Sequence, residues 1–209
     1  MQKLFHSILA FLYPPFCHHC QLPQEISKHL LCEECLQLLQ LSQERVGRIA
    51  TTFEWDGPGS TLLHHLRKKG DEHVAEALAS FLLVRWDSLG WPIPDIVTYV
   101  PSPWLRSFDR GFTPSLLLAK AMARLFCKPL HSLLQCSYQP PQLNMRNLRQ
   151  KKHLLHSFSL KKNKNIEGKV VLLIDDFIKT RHTMNQCVEV LMPGFPKEVY
   201  GLTVCGTMD

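Results

Sequence analysis

The strongest hydrophobic signal in the chain is Val170 to Ile174, five apolar residues in a row behind Gly168-Lys169. A run of this kind predicts a strand covered on both faces, as in the middle of a parallel sheet. Shorter apolar segments predict further strands at Arg48 to Trp55, Asp95 to Val100, residues 129–135 and Glu198 to Val204. Between them the apolar spacing changes to that of helices. Val74, Leu78, Phe81, Leu82 and Arg85 fall on one face of a helix over 71–86, with Asp71 as its N-cap. Residues 60–68 form another helix after the Gly57-Pro58-Gly59 turn. Thr113-Pro114 places a cap and a first-turn proline ahead of a helix over 114–126, and a last helix covers 182–192. Residues 142–153 are polar, basic and partly helical in pattern. At the start, Leu4, Phe5, Ile8, Leu9, Phe11 and Leu12 make an amphipathic helix that ends at Pro14-Pro15. Strands alternating with helices predict an α/β fold with a mostly parallel sheet.

Length divides this pattern. At about 150 residues per domain, 209 residues make one full domain and a small module. The division falls at 1–47, which carries four cysteines and flanking helices, and 48–209. A hydrophobic content of 45% with 20% charged residues excludes a disordered or collagen-like chain. No apolar run reaches the roughly 18 to 20 residues that a bilayer span needs. The apolar N-terminus is broken by His6 and Ser7 and has no small-residue cleavage site, so it does not read as a secretion signal. The expected location is the cytoplasm, where cysteines are more often ligands or core residues than disulfides.

The net charge of +6 is unevenly spread. From Arg110 to Ile166 there are eleven basic residues and no acidic one, while the rest of the chain has 13 basic and 18 acidic residues. One third of an otherwise acidic protein is therefore cationic, which suits an anionic partner.

Cys17, Cys20, Cys32 and Cys35 form C-x2-C-x11-C-x2-C. Two such knuckles bring four thiolates to the tetrahedral arrangement that zinc prefers, and a closed four-sulfur site is structural. Two unrelated pairs of buried cysteines, or His18 or His19 in place of one sulfur, are the other readings. Cys127, Cys136, Cys187 and Cys205 show no ligand spacing.

The central run delivers Asp175 and Asp176 at its end, followed by Phe177, Ile178, Lys179, Thr180, Arg181, His182 and Thr183 and then a helix. Ligands of open α/β sheets bind at that end of the strands. The helix N-terminus offers N–H groups and a positive dipole end to an anion, and the threonines add hydroxyls. Two neighbouring acids can accept sugar hydroxyls or hold a divalent cation. The residues thus suggest a phosphorylated sugar; an acidic cap beside a solvated turn is the bland reading.

This strand–acid–acid–loop–helix pattern resembles the phosphoribosyl-pyrophosphate motif of type I phosphoribosyltransferases. Together with the four-cysteine module, Leu66-Arg67-Lys68-Lys69-Gly70-Asp71, Val100-Pro101-Ser102-Pro103 with Arg106, Arg110-Gly111-Phe112, and Pro141-Gln142-Leu143 with Arg146, Arg149 and Phe158, the chain resembles the ComF competence-protein family along nearly its whole length. The resemblance implies a type I phosphoribosyltransferase-like domain bearing an N-terminal zinc module, and a part in DNA uptake during natural transformation. It implies that Asp175 and Asp176 hold ribose hydroxyls and that Lys179, Thr180, Arg181, His182 and Thr183 cradle the 5′-phosphate. Ser102, Arg106 and Arg110 would face the pyrophosphate and its magnesium ion.

The chain departs from that pattern at the site. Lys179 stands where the family has Thr, Arg181 where it has Gly, Ser102 where it has Val, and Thr113-Pro114 where it has Asn-Gln. Arginine for glycine crowds a phosphate loop, yet Lys179 and Arg181 also bring two cations to an anion site. These departures bear on catalysis rather than on fold. Three functions fit: a phosphoribosyltransferase, a non-catalytic binder of a phosphorylated ligand or of single-stranded DNA, and a scaffold for a competence helicase or translocase component. Phe108, Phe112, Phe126, Tyr138 and Phe158 lie in or beside the cationic third. They would serve as stacking platforms for single strands, or for the most part as core.

Overall fold

The computed structural model of the chain describes residues 16–24, 30–102, 111–138, 156–161 and 165–207. Among these described residues, seven strands and five α-helices follow in chain order: α1 (Glu33–Gln37), β1 (Arg45–Val46), β2 (Ile49–Phe53), α2 (Pro58–Lys69), α3 (Glu72–Ser88), β3 (Ile96–Tyr99), α4 (Pro114–Phe126), β4 (Leu134–Tyr138), β5 (His156–Leu160), β6 (Val170–Ile178), α5 (His182–Leu191) and β7 (Glu198–Gly206). The main sheet runs β1-β2-β7-β6-β3, parallel throughout except for the antiparallel β1 edge. β4 and β5 form a separate antiparallel pair.

β6 explains why its apolar run is unbroken. Side chains alternate across a strand. Leu172 and Ile174 join Leu202 and Val204 in a core covered by α2, α3 and α4. Val171 and Leu173 join Met184, Cys187 and Leu191 of α5, with Leu133 and Leu134, on the other face. All five residues from Val170 to Ile174 are buried.

The predicted helix starts hold. Asp71 accepts a hydrogen bond from the His73 backbone N–H at 2.9 Å, and Pro114 opens α4. Arg85, on the apolar face of α3, is 6% exposed and donates to the Thr51 and Glu44 carbonyls at 3.0 and 3.4 Å. The strand expected over 129–135 is displaced. Pro129 and Leu130 make only a bridge with Val97, since proline has no N–H for a longer ladder, and β4 begins at Leu134. The expected helices before Cys17 and over 142–153 lie largely or wholly outside the described residues.

The aromatic residues of the cationic third divide clearly. Phe126 meets Trp86 edge to face at 5.6 Å, Phe158 packs against the α5-side core, and Phe112 lies against Gly70. These three are packing residues rather than free platforms. Phe108 lies outside the described residues. Lys120 and Arg124 pair with Glu72 and Glu76 of α3 at 3.2 and 2.9 Å, so part of the positive charge serves the α3–α4 contact. No described helix is long and apolar enough to cross a membrane.

Candidate phosphate and metal sites

The expected end of the central strand is overrun. β6 does not stop at Ile174; it continues past the end of β3, whose last residue Tyr99 pairs with Ile174. β7 supplies the extra ladder: Asp175 opposes Thr203, Phe177 opposes Cys205 and Ile178 opposes Gly206. The acids therefore sit on rigid strand rather than on a loop, and the turn shrinks to Lys179–Arg181. Lys179 and Thr180 are exposed, Arg181 is the half-buried N-cap residue of α5, and His182 and Thr183 form its first turn. The Arg181 side chain makes no capping hydrogen bond there, and the N-terminus of a helix favours an anion.

The two acids have different surroundings. Asp175 is 8% exposed and accepts the Asp176 backbone N–H at 2.8 Å. Its neighbour on the α5 side is Cys187, whose thiol is raised by burial and then by the Asp175 charge. Burial, and next the like charge of Asp176, push the Asp175 carboxyl well above the usual carboxylate range. Asp176 turns instead to α2, where Arg67 donates Nε to its Oδ2 at 2.6 Å. The guanidinium lies 5.5 Å over the Phe177 ring, which packs on Trp55 at 4.4 Å.

A pH effect follows from Asp175. A carboxyl that binds its proton more tightly folded than unfolded stabilises the fold fully below the unfolded pKa, and that contribution is lost as pH rises through the folded value. Asp175→Asn keeps an acceptor for the Asp176 N–H but never charges. The variant is expected to melt a few degrees higher than the parent at neutral pH, with the gap closing towards about pH 4. Thermal melts across that range measure it; a gap that widens in acid would contradict the assignment.

Ser102 is half-buried just past β3. The segment leading to it is anchored, because Val100 N–H donates to Ile174 O at 2.9 Å and the buried Ser115 hydroxyl donates to Val100 O at 2.7 Å. Arg106 and Arg110 lie outside the described residues. Arg67 was not among the expected site residues. The sequence marks it only through the Leu66–Asp71 stretch of the resemblance, which is the basic end of α2, where Arg67, Lys68 and Lys69 precede the left-handed C-cap Gly70. Gly70 has φ +64°, and a Cβ there would stand 2.6 Å from the Phe112 ring. Gly70 of the Leu66–Asp71 stretch and Phe112 thus meet in space.

The four N-terminal cysteines converge. Their sulfurs all lie within 4.8 Å of one another, with Cys20 Sγ 3.7 Å from Cys32 Sγ. Four sulfurs about 2.3 Å from a tetrahedral zinc ion are about 3.8 Å apart, so the set fits such an ion. The knuckle backbone supports it: Cys32 N–H donates to Cys17 Sγ at 3.3 Å, and Gln21 takes φ +62° to close the first turn. Burial would raise the Cys17 thiol, but N–H groups of Cys32, Cys20 and His19 outweigh it and bring it to about 6. Burial raises Cys35. His18 and His19 are not part of the cluster. They face α2, His18 with its ring 4.3 Å from that of His65 and His19 Nδ1 2.9 Å from Thr61 Oγ1. Among the described residues, this is the one group of three or more His, Cys, Asp or Glu side chains close enough to share an ion.

No family model matches the chain. Along 204 residues it is 28% identical to DNA utilization protein YhgH of Escherichia coli, covering 92% of this chain and 84% of that protein. The Salmonella typhi protein of the same name is also 28% identical over the same coverage. Among solved structures, glutamine phosphoribosylpyrophosphate amidotransferase from B. subtilis, complexed with ADP and GMP, superposes with a TM-score of 0.44 and 19% identity. The match covers 63% of this chain and 26% of that one. Hypoxanthine phosphoribosyltransferase of Trypanosoma cruzi gives 0.39 and 14%, covering 70% and 76%. Over most of its length, the chain is similar to proteins named for DNA utilization.

Proposed function

We propose that the chain is a ComF-like protein that binds a phosphoribosyl ligand at the C-terminal edge of its sheet and acts in the handling of DNA during uptake. One observation carries the reading: β6 presents Asp175 and Asp176 one short turn ahead of the N-terminus of α5. A phosphate bound at Lys179–Thr183 places the attached sugar over the acids. The four cysteines hold a structural zinc ion in a module of residues 1–47, set on a phosphoribosyltransferase-like unit of residues 48–209. Transfer at the anomeric carbon would rest on positioning and electrostatics, and Arg181 in the phosphate turn argues for binding ahead of turnover.

The name of the YhgH relatives and the cationic stretch support a second ligand, single-stranded DNA. Calorimetry on the zinc-loaded chain separates the two. Phosphoribosyl pyrophosphate is expected to bind at millimolar or lower concentration and to lose binding in Asp175→Asn plus Asp176→Asn. No heat at millimolar ligand removes the phosphoribosyl reading. With single-stranded DNA, the log–log salt slope is expected at about −0.7 per phosphate neutralised, and a flat response removes the DNA reading.

A further inference from the structure

The resemblance places a magnesium ion with the pyrophosphate, beside Ser102, Arg106 and Arg110; two neighbouring acids could in principle hold such an ion as well, but this acid pair does not suit one. A divalent ion held by carboxylates needs at least one with an open, charged oxygen that no other cation already engages. Here Asp175 is buried and takes the Asp176 N–H, while Asp176 is already paired through a 2.6 Å charge-assisted bond to Arg67. The guanidinium is held in place by the Phe177 ring and, behind it, by Trp55. Arg67 comes from a helix fixed at both ends, by His19 on Thr61 and by Phe112 on the Gly70 cap. It is not a loose surface side chain that a metal ion displaces at little cost. The Arg67 side chain is 31% exposed, and its bond to Asp176 uses only Nε of its five N–H donors.

We propose that Arg67 is the resident cation of the acid pair, so that the site takes a phosphorylated sugar without a divalent metal ion on Asp175 and Asp176. Asp176 keeps Oδ1 to accept a sugar hydroxyl, and the outer N–H groups of Arg67 donate to the same ligand. This rests on the phosphoribosyl reading for the identity of the ligand, but the statement about the cation stands on the ion pair alone.

The test uses the full zinc-loaded chain, with manganese(II) as the metal probe, read by electron paramagnetic resonance, and ribose 5-phosphate as the sugar probe, read by calorimetry. The parent is expected to show no manganese site that depends on Asp176. Arg67→Gln is expected to gain one, and Arg67→Gln with Asp176→Asn to lose it again. Arg67→Lys, which keeps the charge, is expected to exclude manganese like the parent. For ribose 5-phosphate, added magnesium is expected to change parent affinity by less than about twofold. Arg67→Gln is expected to weaken it about tenfold, which is the loss of one charge-assisted contact. Parent manganese binding that Asp176→Asn abolishes, or manganese binding equal in Arg67→Lys and Arg67→Gln, would overturn the proposal. So would a tenfold magnesium enhancement in the parent. If ribose 5-phosphate binds no variant under any condition, the ligand reading fails while the manganese arm still judges Arg67.

Discussion

Removing the metal from the Cys17, Cys20, Cys32 and Cys35 cluster is expected to lower the melting temperature of the whole chain by about 10 °C, and not merely to loosen its N-terminus. Zinc contributes about 10–16 kcal/mol to the folding of isolated zinc modules. A chain of this size moves about 2–4 °C per kcal/mol, so coupling of about 4 kcal/mol into the main core suffices. The coupling is visible in the packing. Cys17, Leu31 and Cys35 belong to the same buried cluster as Leu62, Leu63 and Leu66 of α2 and Leu172 of β6. Chelation followed by a thermal melt measures the drop, and Cys35→Ser is expected to reproduce it with loss of bound metal in native mass spectrometry. A chelated chain that melts at the parent temperature would show the module to be an independent appendage.

The same contacts make the cysteine module relevant to the ligand site. α2 carries Thr61 and His65 against the first knuckle and Arg67 against Asp176, so the two contacts are only two to six positions apart. A helix turn is about 5.4 Å long, so these groups lie within two turns on one rigid rod. Loss of metal should therefore weaken ligand binding as well as stability. Because the cysteine cluster packs on α2, a metal ion bound there would be structural for the site as well.

Much of this was legible in the chain. The Val170–Ile174 run needs two covered faces and has them. Asp71 and Pro114 mark helix starts because their chemistry is local: a carboxylate that accepts a first-turn N–H and a ring that fixes φ. The C-x2-C spacing works for the same reason, since each knuckle closes within four residues. What escaped is non-local. Asp175 to Ile178 looks like the start of a polar turn, and only the partner strand at Thr203–Gly206 makes it ladder. Arg67 and Asp176 are 109 residues apart, and no periodicity links them. Two adjacent acids also look equivalent in sequence. Their difference arises from the elements packed on each side, Cys187 near one and Arg67 near the other.

The extension of β6 depends on Gly206, and Gly206→Ala is expected to cost both stability and the site. The residue opposes Ile178 in the last pair of the β6–β7 ladder. A Cβ there would run into the Ile178 carbonyl oxygen and stand 2.6 Å from Ile178 Cγ2. Backbone cannot rotate away as a side chain can, so the pair must open. Beyond it, Thr207 N–H donates to Ile178 O at 3.0 Å and Thr207 Oγ1 donates to Lys179 O at 3.4 Å, and both depend on the same register. Opening the pair releases the Lys179–Arg181 turn and the N-terminus of α5 together. Overpacking of this kind costs about 1–3 kcal/mol, or a fall of about 3–10 °C in melting temperature. Ligand affinity should fall more than about tenfold, because the phosphate turn and the acids no longer share one frame. Gly201→Ala on the same strand is the control. Its Cβ would meet side chains rather than backbone, Met184 Sδ at 2.9 Å and Cγ at 3.1 Å and Ile49 Cγ1 at 3.3 Å, and the thioether is the most adaptable of these. Gly201→Ala is therefore expected to lower stability modestly and leave affinity within about twofold. Equal affinity losses in the two variants would show that the turn is not held by the end of the ladder, and a Gly206→Ala protein that binds like the parent would remove the strand extension from the account of the site.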